Sequence, residues 1–562
     1  MKNLLLFALL LLLVTNLFAQ VDTVWVRRWT SPGYESDWAY AIAADNLGNV
    51  YVTGNNGFGN YSQWTTIKYT ADGDTAWVRY INNGNYNERG NLIVIGPFGN
   101  IYITGYTMSS GDGDYYTVKY RPNGDTAWTR RYNGPNPTDG YDFANVIAVD
   151  EEENVYVTGY SQSASYDFDY ATVKYDSSGV QQWVARYNGS GNGTDHAEAI
   201  AVDNSGYVYV TGYSNPYSSG TIYDYVTIKY NPTNGDTLWV RKYNYADSSD
   251  AAFDIAVDGS GNAYVTGRSK GLGTGSDIAT IKYYPNGDTA WVRRYNGPVG
   301  NGGDTGYGVE VDALGNVYVA GSSAGVGTGT DIVMIKYNSS GEEQWVTRYN
   351  GPANGTDAIY DDGGGKCLKL DQFADVYVVG YSMDSESTRT RQDYLTIKYN
   401  SDGIEQWHAT YNHLDSCIDV PTAIAVDNSG YIYVTGRSQT EPVSYIDWAT
   451  IKYRQTPGVE ERSTLKALRS TPEIYPNPAR SVIRVRVPYV GATSLSQQSG
   501  SGNPSYKKEE MNLKIFDVSG KLITETEISS PETQISLTGI KPGVYFLQLG
   551  TETMTKKFIV SK

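Results

Sequence analysis

AIAVDNSGYVYVTGYSNPYSSGTIYDYVTIKYNPTNGDTLWVRKYN, residues 199–244, carries four landmarks in a fixed order. An apolar run ends at Asp203, a short turn leads to Val208-Tyr209-Val210-Thr211-Gly212, a third stretch closes on Lys229-Tyr230, and a fourth contains Trp239. Apolar and polar residues alternate with a period of two, which is the pleat of a β-strand. Between the third and fourth stretches stands Asn234-Gly235, whose readiness for positive φ suits a tight hairpin. The stretch therefore predicts one four-stranded antiparallel unit.

The same order recurs along the chain. The glycine of the second landmark falls at Gly54, Gly105, Gly159, Gly212, Gly267, Gly321, Gly380 and Gly436. Tyr69, Tyr120, Tyr175, Tyr230, Tyr283, Tyr337, Tyr399 and Tyr453 end the third, each preceded by lysine. Tryptophan marks the fourth at Trp25, Trp77, Trp128, Trp183, Trp239, Trp291, Trp345 and Trp407. Four strands per unit at this spacing predict the blades of a β-propeller. Phase decides the closure. Thr23 to Trp29 is a fourth strand with nothing before it, while Asp447 to Tyr453 is a third strand with no fourth behind it. Pairing those two ends completes the last blade and removes both open edges. The expected fold class is all-β: an eight-bladed propeller over 21–454, closed by the N-terminal strand.

Composition agrees. The 562 residues include 61 glycines and 51 tyrosines, with 13% aromatic residues and a formal charge of -17. The acidic excess lies before residue 455, which argues against nucleic acid as partner, since phosphate backbones need a basic surface. Residues 1–19 read as a secretory signal peptide: Lys2, then the apolar run Leu4 to Val14, then Ala19. No later stretch is long and apolar enough to span a membrane as a helix. Export permits a disulfide between Cys367 and Cys417, the only two cysteines, and two unpaired small hydrophobes are the alternative.

The set Ala-Ile-Ala-Val-Asp, Tyr-Val-Thr-Gly, Ile-Lys-Tyr and Gln-Trp-Val resembles the bacterial β-propeller repeat family named for seven-bladed propellers. Eight copies depart from that name, and Gly96 replaces the inner-strand Asp in the second repeat. After a linker at 455–471 the pattern changes. Tyr475-Pro476-Asn477-Pro478, the strand Val482 to Val487, Leu513 to Lys521, Pro542-Gly543-Val544-Tyr545-Phe546 and a last strand Lys556 to Val560 predict a small β-sandwich over 472–562. A polar insert spans Gly491 to Glu510. These residues resemble the type A C-terminal sorting domain of the type IX secretion system. That resemblance implies passage through the periplasm to the cell surface or medium, with the secretion machinery as a partner of 472–562.

The first-to-second and third-to-fourth turns are short and belong to one face of a propeller. The longer, varied connections belong to the other, where a binding surface is expected. Residues present in every blade are read as serving the blade. Asp114, Asp169, Asp224, Asp277, Asp331, Asp393 and Asp447 are thus expected to form turns by satisfying backbone N–H groups. A ring of Ca²⁺ sites is the functional alternative, but no spacing matches a calcium loop, and no cofactor is expected. Residues that break the symmetry are the candidates for ligand binding: His196 and Glu198 in blade 4, Glu310 in blade 6 and Lys369 in blade 7, the last two near the central channel as an ion pair or as a catalytic acid and its partner. Arg389 and Arg391 in the longest loop and the insertion at Asp361 and Asp362 complete the set.

Three histidines, no HExxH, no CxxC and no GxSxG leave no named reaction. The expectation is a non-enzymatic binder of a glycan or a surface protein. A secreted carbohydrate-active enzyme with carboxylates at the channel mouth is the runner-up, since such pairs need no local motif. A structural adhesin or spacer is the third reading.

Overall fold

The computed structural model describes residues 20–456 except 32–35, 58–61, 82–86, 110–111, 137–139, 164, 218–221, 361–365, 384–391, 414–417 and 441–444. Beyond these it describes 473–475, 482–486, 511–517, 521–528, 532–536, 540–541, 543–549 and 555–560. Residues 1–19, read from the sequence as a signal peptide, Cys417, and the candidates Asp361, Asp362, Arg389 and Arg391 lie outside the described residues.

Eight antiparallel sheets make up Gln20–Thr456. Blade 4 shows the order: Asp195–Val202 inside, then Val208–Ser214, Asp224–Tyr230 and Thr237–Tyr243 outside. Blade 8 combines Asp419–Val426, Tyr431–Gln439 and Ile446–Thr456 with the N-terminal strand Gln20–Trp29, in register from Gln20 opposite Thr456 to Trp29 opposite Trp448. The predicted ring closure is therefore made by main-chain pairing.

The repeated residues have separate tasks. Inside a blade, Asp203 closes the first turn: its Oδ1 accepts the N–H of Ser205 at 2.9 Å and of Tyr207 at 3.0 Å, and its Oδ2 accepts the Tyr209 hydroxyl at 3.0 Å. The Asp and the Tyr six residues on are one device. Blade 2 lacks the Asp, and blade 3 supplies the charge instead. Glu153, at a φ of 61°, accepts Asn100 Nδ2 at 2.9 Å and pairs with Lys119 at 2.8 Å.

Between blades, one carbonyl of the next hairpin receives two donors. Trp183 Nε1 and Lys174 Nζ both donate to the Pro232 carbonyl, at 3.1 and 2.8 Å. At the closure, Trp25 and Lys452 do the same to Ala71, at 3.1 and 2.9 Å. Arg27 Nε then donates to the Gly73 carbonyl at 2.6 Å. Gly73 has a φ of 84°, and a Cβ there would run into that guanidinium, so this hairpin requires glycine twice over.

The aspartates that open the third strands behave differently from expectation. Asp169, Asp277, Asp331 and Asp447 pair with Arg186, Arg294, Arg348 and Arg28 at 3.0, 2.7, 2.8 and 3.0 Å, and Asp114 pairs with Arg131. Asp224 takes Asn244 Nδ2 at 2.9 Å. The register explains this, because Tyr170 opposite Tyr187 brings Asp169 beside Arg186. Turn formation falls to the acids opening the inner strands: Asp195 accepts Gly189 N–H at 2.6 Å, Asp304 accepts Gly297 N–H at 2.7 Å and Asp357 accepts Gly351 N–H at 2.6 Å.

The two kinds of long connection meet on one face, as Asn215 N–H to Thr194 C=O at 3.0 Å and Gln162 N–H to Tyr141 C=O at 2.9 Å show. Cys367 is buried. In the C-terminal unit, Glu473–Tyr475, Val482–Arg486 and Glu532–Ser536 form one antiparallel sheet. Leu522–Ile528, Met511–Asp517, Gly543–Leu549 and Thr555–Val560 form a second. Among the described residues no helix is long and apolar enough to cross a membrane.

Candidate ligand-binding mouth of the channel

Directly beneath the long-loop face, the inner and second strands of every blade face each other at one level. In blades 2, 3 and 4 the pairs are Arg89 with Tyr106, Phe143 with Tyr160, and His196 with Tyr213. Blades 1, 5 and 8 contribute Trp38 with Asn55, Ala251 with Arg268, and Val420 with Arg437. Next to each pair the inner strand carries a bulge, which leaves one residue unpaired; in blade 4 that residue is Glu198. Bulges re-aim side chains. The glycine opposite is fixed by the same feature: a Cβ on Gly212 would fall on the His196 carbonyl oxygen.

The side chains of this level form a belt across blade boundaries. Arg437 lies over Trp38 at 4.8 Å and over Tyr360 at 4.5 Å, and Arg89 lies over Tyr40 at 3.6 Å. Phe143 meets Tyr106 edge-on at 4.8 Å and Tyr160 at 5.3 Å. His196 stacks on Tyr160 at 3.9 Å, and Tyr213 lies 5.1 Å from its other side. Phe253 of blade 5 stacks on Tyr307 of blade 6 at 6.1 Å, beneath Arg268 at 5.7 Å. Such ring contacts with cations are worth about 0.5–2 kcal/mol each, more where water is excluded.

His196 and Glu198 are brought together by the bulge, with Nδ1 and Oε1 3.9 Å apart. Burial pushes the imidazole down to about 4, so the ring is neutral at pH 7 and the contact is no salt bridge. Burial and the Glu198 charge raise the Tyr213 hydroxyl, which keeps its proton and donates to His196 Nδ1 at 2.9 Å. That leaves the imidazole N–H on Nε2. Asn145 Nδ2 donates to Glu198 Oε2 at 3.2 Å.

Deeper in the channel, Glu310 and Lys369 pair across the blade 6–7 boundary at 2.8 Å. Beside them Lys366 reaches over blade 6 to Asp254 of blade 5, whose other oxygen accepts the Val309 N–H at 2.9 Å. The two lysines border a cavity of about 390 Å³ whose remaining lining is Ala, Ile, Leu and Val of the inner strands. In blade 7 the inner strand is split into Asp357–Ala358 and Leu368–Leu370. Among the described residues no group of three or more His, Cys, Asp or Glu could hold a metal ion.

Sequence reasoning singled out His196, Glu198, Glu310 and Lys369, which the structure places at the channel, and did not single out Asp254, Lys366 or the aromatic and arginine members of the belt. A signal for Asp254 existed, because the equivalent inner-strand positions carry residues such as Ala199 and Ala423. For the belt, the signal was the variation at the residue after each second-strand glycine: Asn55, Tyr106, Tyr160, Tyr213, Arg268, Ser322, Tyr381 and Arg437.

Comparison with known proteins places the chain. Residues 24–56, 127–167, 182–216, 238–273 and 418–441 match the SBBP beta-propeller repeat, and 473–561 match the secretion system C-terminal sorting domain. An uncharacterized WD repeat-containing protein of Acanthamoeba polyphaga mimivirus is 30% identical over 149 residues, which are 24% of this chain and 10% of that protein. The match thus spans about a tenth of the length of that curated relative. Among solved structures, Sqt1 of Chaetomium thermophilum is similar with a TM-score of 0.48 at 11% identity, covering 79% of this chain and all (100%) of Sqt1. A protein of unknown function from Dyadobacter fermentans has a TM-score of 0.38 at 8% identity, covering 78% of this chain and 99% of its own. At such identities the likeness extends to neither ligand nor partner. The chain carries SBBP β-propeller repeats, folded into eight blades, and a type IX sorting domain at its C-terminus, which makes it a propeller built for export to the cell surface or medium.

Proposed function

We propose that the exported propeller binds a glycan at the channel mouth on its long-loop face. The belt of half-buried aromatic rings carries this reading. The position of Tyr160 and Tyr213 is Tyr in four blades and Asn, Arg or Ser in the others, and that of Trp38 is Trp in one blade alone, whereas the residues that hold a blade together repeat. Rings with a polar edge suit the stacked faces and hydroxyl groups of sugars, and they lose little side-chain freedom on binding. Asn145, Glu198 and His196 supply hydrogen-bonding groups at the same level. The ion pair of Glu310 with Lys369 leaves that carboxylate engaged in holding two blades.

Turnover is the second reading, carried by the direct hydrogen bond between the Tyr213 hydroxyl and the neutral His196 ring, although burial makes that imidazole a weak base and that phenol a weak acid at pH 7. A polysaccharide array read for both binding and product separates the two. Retention without new reducing or unsaturated ends is the expected result. Product that disappears in His196→Gln would establish an enzyme, and no retention of any glycan would leave the spacer reading.

A further inference from the structure

We infer that the glycan taken at the mouth is acidic, its carboxylate or sulfate groups held by Arg268 and Arg437; this rests on the binding reading above. The chain is strongly acidic at -17, yet its mouth level is not. Three of the strand pairs at that level contribute an arginine, and the charged neighbour on the bulges is the single Glu198. The aspartates that open the inner strands of seven blades, Glu88 standing in their place in blade 2, are buried and accept loop N–H groups: Asp37 and Asp195 accept Ser31 and Gly189 N–H at 2.6 Å each. Lower in the channel, the Lys366 and Lys369 charges are already matched by Asp254 and Glu310.

The arginines themselves are poised. Unlike Arg28, Arg186, Arg294 and Arg348, which are tied to aspartates, Arg268 and Arg437 form no ion pair among the described residues. Arg437 Nε is buried and makes no hydrogen bond among the described residues. Each of the three guanidinium groups lies over an aromatic ring, at 3.6 Å for Arg89, 4.8 Å for Arg437 and 5.7 Å for Arg268. In Arg268 and Arg437 a planar cation held by its face keeps edge N–H groups available, and that edge matches the two oxygens of a carboxylate or sulfate. Arg268 and Arg437 stand three blades apart, in blades 5 and 8, so they border the mouth from separate sides rather than form one patch. That spacing fits a chain of charged sugar units better than one small anion. The acidic body would repel a long polyanion anywhere else on the propeller.

Binding of the full-length chain to polygalacturonate, dextran sulfate and uncharged dextran tests this by affinity electrophoresis. Retardation by one or both charged polymers and not by dextran is expected, and the two arms separate carboxylate from sulfate recognition. Arg268→Gln and Arg437→Gln should each weaken retention about tenfold, the loss of one charge-assisted hydrogen-bonded contact. Arg268 is exposed, so its replacement leaves the fold intact. Equal binding of dextran, unchanged by the arginine variants but lost in Tyr213→Ala, would overturn the acidic preference while keeping the glycan site. Equal retardation by single-stranded DNA would show charge without sugar recognition and overturn the inference. No retention by any polymer would overturn both.

Discussion

Replacing Trp25 by alanine tests the closure of the ring. Trp25 stands near the N-terminal end of the described chain, where a large residue ordinarily has little to lose. Here its indole is 6% exposed, donates to the Ala71 carbonyl at 3.1 Å, and lies between Tyr69 and Tyr433 at 6.0 and 6.4 Å. Trp183, in the interior of the chain, is also 6% exposed, donates to Pro232 at 3.1 Å, and lies between Tyr156 and Tyr230 at 6.1 and 6.3 Å. The surroundings match, so the costs should match. An aromatic side chain buries roughly 150–250 Å², which at about 25 cal/mol per Å² is about 4–6 kcal/mol. Measured truncations of buried tryptophan fall at about 3–5 kcal/mol. Trp25→Ala and Trp183→Ala should therefore lower the urea midpoint alike, and Trp25→Ala should also speed amide exchange in the paired strand at Thr450 and Ile451. A Trp25→Ala protein that unfolds with the wild type, beside a Trp183→Ala protein that is several kcal/mol weaker, would refute the closed ring.

Three further outcomes follow from individual groups. His196 titrates near 4 when folded, below its free value of 6.5, so its contribution to stability is intact above 6.5 and is lost as pH falls towards 4. Against His196→Gln, denaturant melts of the wild type should lose on the order of 3 kcal/mol across that window. Asp195, raised by burial to about 6, acts in the opposite direction and is common to both proteins. Arg186→Met should cost about 3 kcal/mol, since it leaves buried Asp169 unpaired and removes the tie to Tyr132 of the preceding blade at 3.2 Å; adding Asp169→Asn should restore most of the midpoint. Lys369→Met breaks a pair whose side chains are 36% and 29% exposed, and should shift the melt by about 1 kcal/mol or less.

What is read from the residues alone is everything that repeats within a blade. The period of two, the Asn-Gly and Asp-Gly hairpins and the eightfold order of Asp, Gly, Lys-Tyr and Trp are local, and strand pairing through short turns follows from them. The closure was legible for a counting reason, one strand missing at Tyr453 and one spare at Trp25.

Contacts between blades were not legible, because they join residues far apart whose approach depends on the twist and radius of the ring. Trp25 meets Ala71 across 46 residues, and the Thr422 hydroxyl meets the Ala39 carbonyl across 383. The same distance hid the rescue of Gly96 by Glu153, which sequence comparison shows only as a lost Asp. It also hid the belt at the mouth, since its contacts join rings and guanidinium groups of different blades, as Tyr160 of blade 3 stacks on His196 of blade 4. Periodicity determined the blades; only the closed ring brought the residues that differ between blades to one level, because their approach depends on the pairing of sheets far apart in the chain.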